Sequence, residues 1–470
     1  MIIKERKNCT VIRMSAQNNT KNNMKRQCFF WLPKTKNKVG VTKVKPKQIS
    51  ATFQEALRST LVIGQIFSLL PVNGVCSTNA ANVKFKWSSW KCVYLLLSLL
   101  GQIFITTMCI HKVLNSNASL NVTTPVIFYT TTCITMVVFF RIAISWPDLV
   151  HHIEKVEQLD PNYDMTLKFK CNFTCAVVFI LASVEHILSL LSAIAASTAC
   201  DTEDLTYERF VKYFYPWVFN FLPYSLILGA MTQFVHFQST FIWNFSDLFV
   251  ICMSYYLTSR LQNVNNKLLF AQGKYLPEVF WKTIREDYGR AVQLVRRVDD
   301  VINGITFISF ANNLFFICLQ LFNTLEDGVK GNNECNNNIN KRSTNIFGGY
   351  EAAAYFVFSL IYLISRSVAV SLIASQVNTA SNAPAPVLYD VPSPVYCVEV
   401  QRFLDQVNGD KVALSGLEFF SVTRGLLLTV AGTIVTYELV MFQFKDTPSG
   451  ENITSTVPTT MLANKTDVAF

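Results

Sequence analysis

The chain has 470 residues, 51% of them hydrophobic and only 15% charged, where a soluble domain carries about 25% charge. Cys92 to Ile110, Val113 to Phe140 and Val301 to Leu325 contain no charged residue. A bilayer-crossing helix needs about 20 apolar residues, so several such runs exclude an ordinary soluble protein.

The net charge of +10 is uneven: before residue 90, 16 Lys and Arg meet only Glu5 and Glu55. Residues 1–50 read as a disordered basic arm. Nothing else in the chain supports a nucleic-acid partner, and such an arm fits a cytoplasmic segment of a multi-pass protein. No apolar core follows the first charged residues, so no signal peptide is expected and the first span does the targeting. Residues 57–75 are apolar but short, broken by Pro71 and Gly74, and read as a full span or a re-entrant helix. The clear spans are expected at about 90–112, 124–146, 171–198, 223–258, 303–324, 351–376 and 418–444. The predicted class is an all-α integral membrane protein with seven transmembrane helices.

Orientation follows from two signals. The expected 259–302 loop carries eight Lys and Arg, whereas the 199–222 loop carries Asp201, Glu203, Asp204 and Glu208. The positive-inside rule makes the first cytoplasmic. Glycosylation sequons at Asn117, Asn121, Asn452 and Asn464 all fall on the opposite side. The N-terminus is therefore expected inside and the C-terminus outside, with 446–470 an extracellular tail.

No nucleophile elbow, phosphate loop, H-E-x-x-H or dinucleotide fingerprint occurs, so the chain does not read as an enzyme and no cofactor is expected. The 13 Cys include no C-x-x-C pair and no Cys/His spacing for zinc. His151 and His152 point about 100° apart on a helix and do not share a metal ion.

The last span ends Thr436-Tyr437-Glu438-Leu439-Val440-Met441-Phe442-Gln443-Phe444. With the blocks Phe53–Arg58, Trp243–Phe249, Leu257–Arg260, Ile284–Tyr288 and Asn312–Leu314, it resembles the sugar-receptor branch of the insect gustatory receptors over about 50–445. The resemblance implies a tetrameric, tastant-opened cation channel of the plasma membrane of chemosensory neurons. It implies a homotetramer or a heteromer with related receptors, sugars as ligands and cations as permeant ions. It also implies a last span lining the pore, an anchor built from the cytoplasmic ends of the fourth to seventh spans, and a re-entrant helix at 57–75.

Tyr437, Val440 and Gln443 are three apart and share one stripe. By themselves they read more readily as interhelical packing. The resemblance favours a pore, in which Gln443 would partly replace an ion's hydration and Val440 would close the path by dewetting. Glu438 reads equally as an attractor of cations at the pore mouth or as one half of an interhelical ion pair. Sugar recognition needs aromatic faces, amides and carboxylates. The outer halves of the second to sixth spans supply Tyr129, Thr132, Glu185, His186, Ser189, Gln233, His236, Asn312, Asn313, Gln320, Tyr355 and Tyr362. Each alone fits a satisfied interhelical hydrogen bond; together they are too many for packing. Asp247 reads as structural, facing the bundle. Cys200 and Cys335 fall in outer loops, where an oxidising side permits a disulfide. The rival readings are a secondary transporter, for which no repeated half is visible, and a seven-helix receptor coupled to another effector.

Overall fold

The computed structural model describes residues 53–115, 120–161, 164–198, 207–327 and 350–445. The sequons at Asn117, Asn452 and Asn464 and the pair Cys200 and Cys335 lie outside them. Asn121 lies in a helix whose first side chains are not described.

The chain opens with α1 (Phe53–Ile66), a short hairpin of β1 (Val72–Asn73) and β2 (Lys84–Phe85), and a 3-10 turn at Ala80–Asn82 between those strands. Long helices follow: α2 (Trp90–Leu114), α3 (Leu120–Leu159) and α4 (Leu167–Thr198). Two short helices, α5 (Tyr207–Phe214) and α6 (Pro216–Phe219), lead into α7 (Leu226–Ala271), α8 (Glu278–Asp327) and α9 (Glu351–Asn382). The chain ends with α10 (Pro384–Tyr389), α11 (Val398–Gly409), a hairpin of β3 (Ser415–Gly416) and β4 (Phe420–Ser421), and α12 (Arg424–Lys445). Five of these, α2, α3, α4, α8 and α9, are long and apolar enough to cross a membrane. The protein is an integral membrane protein.

The bundle is built around α7. From Gln238 to Leu261 nearly every residue is buried, the pattern of a core helix apolar on all sides. Its small polar residues are tied locally: Ser239, Ser246 and Ser254 each donate to the carbonyl four residues back. Gln238 donates across to Ser68 Oγ at 2.7 Å and Ser98 Oγ at 3.1 Å. Most amides and hydroxyls there are thus bonded within the bundle, as burial away from water requires; the Gln238 side-chain oxygen and the Thr258 hydroxyl are buried without a partner among the described residues.

α1 has 14 residues, about 21 Å at 1.5 Å per residue, shorter than a hydrocarbon core of about 30 Å. It lies against α3, α4 and α7, with Phe53 edge-on to Tyr256 at 4.8 Å and Phe67 stacked on Phe241 at 5.0 Å. Gly64 is required here: an added Cβ would sit 2.5 Å from the Phe245 ring. After α1 the chain reverses through Ser68 and Leu70, both at positive φ (60° and 49°). That costly backbone is held by Gln65, which donates to Leu70 O and Val72 O, and by Lys91, which donates to Gln65 and Val72 O. Thr78 and Ala80 then line the same small crevice as Phe53. The segment thus enters and leaves the bundle at one end.

The stretch read from the sequence as a 259–302 loop is instead mostly helical. α7 continues to Ala271, turns at Gly273 (φ +72°), and α8 begins at Glu278. Leu261, Val264 and Leu268 on one helix, and Trp281, Ile284, Tyr288, Val295, Val298 and Ile302 on the other, are buried at helical spacing. Apart from buried Arg260, the Lys and Arg lie on the more exposed faces, where they lower the hydropathy without breaking the helix. α3 likewise runs on past residue 146, and the expected 377–417 loop contains α10 and α11.

Ion pairs stitch these extensions together. Lys267 bridges Asp160 at 3.2 Å and Asp287 at 2.7 Å, and Arg285 meets Glu399 at 2.8 Å. Arg285, with Arg402 also beside it, holds the Glu399 carboxyl below the usual carboxylate range. A depressed carboxylate adds stability above its unfolded pKa and loses it as pH falls through the folded value. The melting temperature of the Glu399→Gln protein is therefore expected to lie below wild type at neutral pH, with the gap closing in acid. A gap independent of pH would show that the Glu399 charge does not stabilise the fold.

Candidate functional site

The polar residues singled out in the sequence fall into three places. At the first, Ser359 on α9 donates to Glu185 on α4 at 2.6 Å, and Gln320 on α8 donates to Ser359 at 3.1 Å. Tyr355 stands against Glu185, Ser189 and Ser359. Three helices therefore meet through one carboxylate, three hydroxyl side chains and one amide. The Gln320 carbonyl oxygen is buried without a partner among the described residues, a group still able to accept a hydrogen bond.

At the second, Tyr129 on α3 and His236 on α7 share a hydrogen bond of 2.9 Å. Around the His236 ring stand Phe214 at 5.3 Å, Tyr215 at 5.6 Å, and Phe128 and His186 at 5.9 Å. The Tyr215 hydroxyl and the Trp217 indole N–H, from α5–α6, are buried with no partner among the described residues. Nearer the surface, Tyr207 donates to Gln233 at 3.2 Å. Thr132 is spent locally, donating to Phe128 O at 2.9 Å. Aromatic faces beside unsatisfied polar atoms suit a neutral polyhydroxylated ligand.

The third place lies deeper. Asp247 on α7 pairs with Arg366 on α9, Nε to Oδ2 at 2.7 Å, at an angle outside hydrogen-bond geometry. Both side chains are almost fully buried, 0% and 3% exposed. Ser309 and Asn313 on α8 donate to the two carboxylate oxygens. Arg366 donates to Asn244 and, at 3.3 Å, to Asn313, and its guanidinium lies 4.5 Å from the Trp243 ring centroid. Tyr362 adds a hydrogen bond to Asn244 at 2.7 Å. A buried ion pair survives only when its remaining polar atoms are bonded, and here three helices supply those partners. Asp247 faces the bundle, and Asn313 and Tyr362 belong to this network.

Asn312, next to Asn313 but turned about 100° from it, lines a different feature. This is a cleft of about 480 Å³ between α3 and α8.

α12 packs on α8 and α9. Leu426, Leu427, Val430, Ile434 and Glu438 are half-buried at spacings of three and four, the face turned to the bundle. Thr429, Gly432, Thr436, Leu439, Val440 and Gln443 are exposed on the other side. Tyr437 flanks them, 40% exposed. Glu438 lies beside Cys318 of α8, and its two carboxylate oxygens are buried without a partner among the described residues.

Reasoning from sequence missed Arg366 and the aromatic box from α5–α6. Arg366 had a signal: it is the one charged residue between Glu351 and Asp390, just as Asp247 stands alone between Glu208 and Arg260 apart from Arg209 and Lys212 of α5. Two isolated opposite charges in apolar helices point to each other.

The same fold occurs in the insect olfactory receptor OR5 from Machilis hrabei. Its structure in complex with eugenol aligns with a TM-score of 0.61 over 83% of this chain and 98% of that one, at 16% identity. The chain thus shares the fold of that receptor. Residues 32–452 match the trehalose receptor family, and the chain belongs to it. Relatives in Drosophila melanogaster include gustatory receptor for sugar taste 64f, 34% identical over 84% of this chain and 81% of the relative. Gustatory receptor 5a for trehalose is 31% identical over 90% and 94%. The family is one of receptors, not enzymes.

Proposed function

We propose that the protein is a sugar-gated, nonselective cation channel. In this reading seven helices cross the membrane, with the N-terminus inside and the C-terminus outside, and α12 lines a pore shared by four chains. The observation that carries the sugar reading is the pair of polar and aromatic clusters between α3, α4, α7, α8 and α9. It is supported by relatives named for sugar taste and for trehalose. Sugar entering beside Glu185, Gln320, Tyr129 and His236 would compete for the bonds these groups make, shifting α8 and α9. Both helices pack on α12, so the displacement passes directly to the pore helix.

Two experiments test this. Glu185→Ala and Gln233→Ala are expected to weaken the sugar response at unchanged surface expression. Each lost hydrogen bond costs about 1–3 kcal/mol, a shift of about five- to 150-fold in the half-maximal concentration. Unchanged dose–response curves for both would place the site elsewhere. For topology, a tag after Asn452 is expected to be reached by antibody on intact cells, and a tag before Gln48 only after permeabilisation. The reverse pattern would invert the arrangement.

A further inference from the structure

The cleft between α3 and α8 belongs to neither sugar cluster. The two helices pack closely at Gly304, where an added Cβ would meet Val138 Cγ1 at 3.2 Å. The cleft runs from Thr131 and Asn312 to Ser145 and Asp300. That is four turns of α3, roughly 21 Å, enough to pass from the bilayer midplane through one leaflet of about 15 Å into its headgroup region. Its walls are graded. Ile134, Val138, Phe307, Ile308 and Ala311 form an apolar middle, and Ile134 is 48% exposed, so the cleft is open at the side to lipid. Arg141 and Asp300 stand at the opposite end from Asn312, both exposed, and neither has an ion-pair partner among the described residues.

We propose that this cleft binds one zwitterionic phospholipid, its phosphate on Arg141, its ammonium on Asp300 and one acyl chain between α3 and α8. The charges decide the class. A guanidinium binds phosphate through parallel N–H donors, and a carboxylate facing it would repel an anionic headgroup but accept an ammonium. The polar groups decide the length. The Thr131 hydroxyl is already bonded to Phe128 O at 3.0 Å, and beyond it Asn312 offers an amide, so an apolar chain gains nothing by running further. Leu417, which closes one wall, belongs to the hairpin that leads into α12, so the bound lipid braces the base of that helix. Assigning the lipid to the inner leaflet rests on the orientation proposed above.

The test uses the full chain in nanodiscs of equal phosphatidylethanolamine and phosphatidylglycerol, extracted into mild detergent, with retained lipid counted by native mass spectrometry. The expected result is one phospholipid per chain, ethanolamine over glycerol. Arg141→Gln should lower retention about tenfold. Asp300→Asn should keep a lipid but erase the headgroup preference. Ala311→Phe should empty the cleft. Arg141→Gln and Asp300→Asn alter exposed side chains without adding bulk, so they decide the matter even if Ala311→Phe does not fold. No retained lipid in the wild type, or equal retention in wild type and Arg141→Gln, would overturn the proposal. So would an empty wild-type cleft whose Ala311→Phe variant loses its oligomer, since the cleft would then be a contact between copies. Retention is read without sugar or current, so a protein that holds the lipid but ignores sugar would reject the channel reading alone. A reversed tag pattern would move the lipid to the outer leaflet and leave its binding intact.

Discussion

Asp247→Ala is expected to abolish the folded receptor at the cell surface, and Arg366→Ala to do the same. Removing one partner of a buried pair leaves the other charge uncompensated and costs about 3–5 kcal/mol. That is comparable to the lower end of a domain's whole stability. Here the stranded group would be an acid touching Ser309 and Asn313, or a guanidinium touching Asn244 and Asn313. The double variant Asp247→Asn with Arg366→Met removes both charges and is expected to recover much of the loss. Its Arg366→Met change leaves Asn244 with Tyr362 as a donor. Melting curves of fluorescent fusions separate the cases. Equal loss in the single and double variants would show that the charges themselves, rather than their balance, are needed.

The second large effect concerns α12. Gln443→Glu is expected to raise divalent permeation or block, because four carboxylates in one ring attract a divalent ion with twice the Coulomb energy of a monovalent one. Val440→Ser is expected to leak current without sugar, since a hydroxyl holds water where an isopropyl group does not. Both residues lie on the side of α12 turned away from α8 and α9. Reversal potentials in mixed sodium and calcium, at matched surface expression, read the two effects separately. Unaltered selectivity together with unaltered leak would remove the pore from these residues. Glu438 provides the contrast. It sits on the bundle side by Cys318, so Glu438→Gln should alter assembly or activation before it alters selectivity.

The apolar runs were legible because lipid demands them: each long helix overlaps an expected segment, and α1 (Phe53–Ile66) overlaps the first part of the ambiguous one. The polar extensions of α7 and α8 were not legible by hydropathy. Trp281, Ile284 and Tyr288 bury one face of α8 while Lys282, Arg285 and Glu286 cover the other, an amphipathic pattern that averages to a polar loop. The candidate ligand residues were legible as a set but not as a site. Asn312 and Asn313, adjacent in sequence, serve the cleft between α3 and α8 and a buried ion pair, because one residue of helix rotates a side chain by about 100°. The aromatic box around His236 depends on α5 and α6, whose eight and four residues are too short to announce themselves by periodicity.

The most direct test of the central claim is current across a planar bilayer containing only this purified protein, recorded while a panel of mono- and disaccharides is perfused. A sugar-gated channel gives unitary cation currents that appear with sugar, persist without a sugar gradient and vanish on washout. Folded, sugar-binding protein that passes no current, or moves sugar itself in proportion to its gradient, would contradict it.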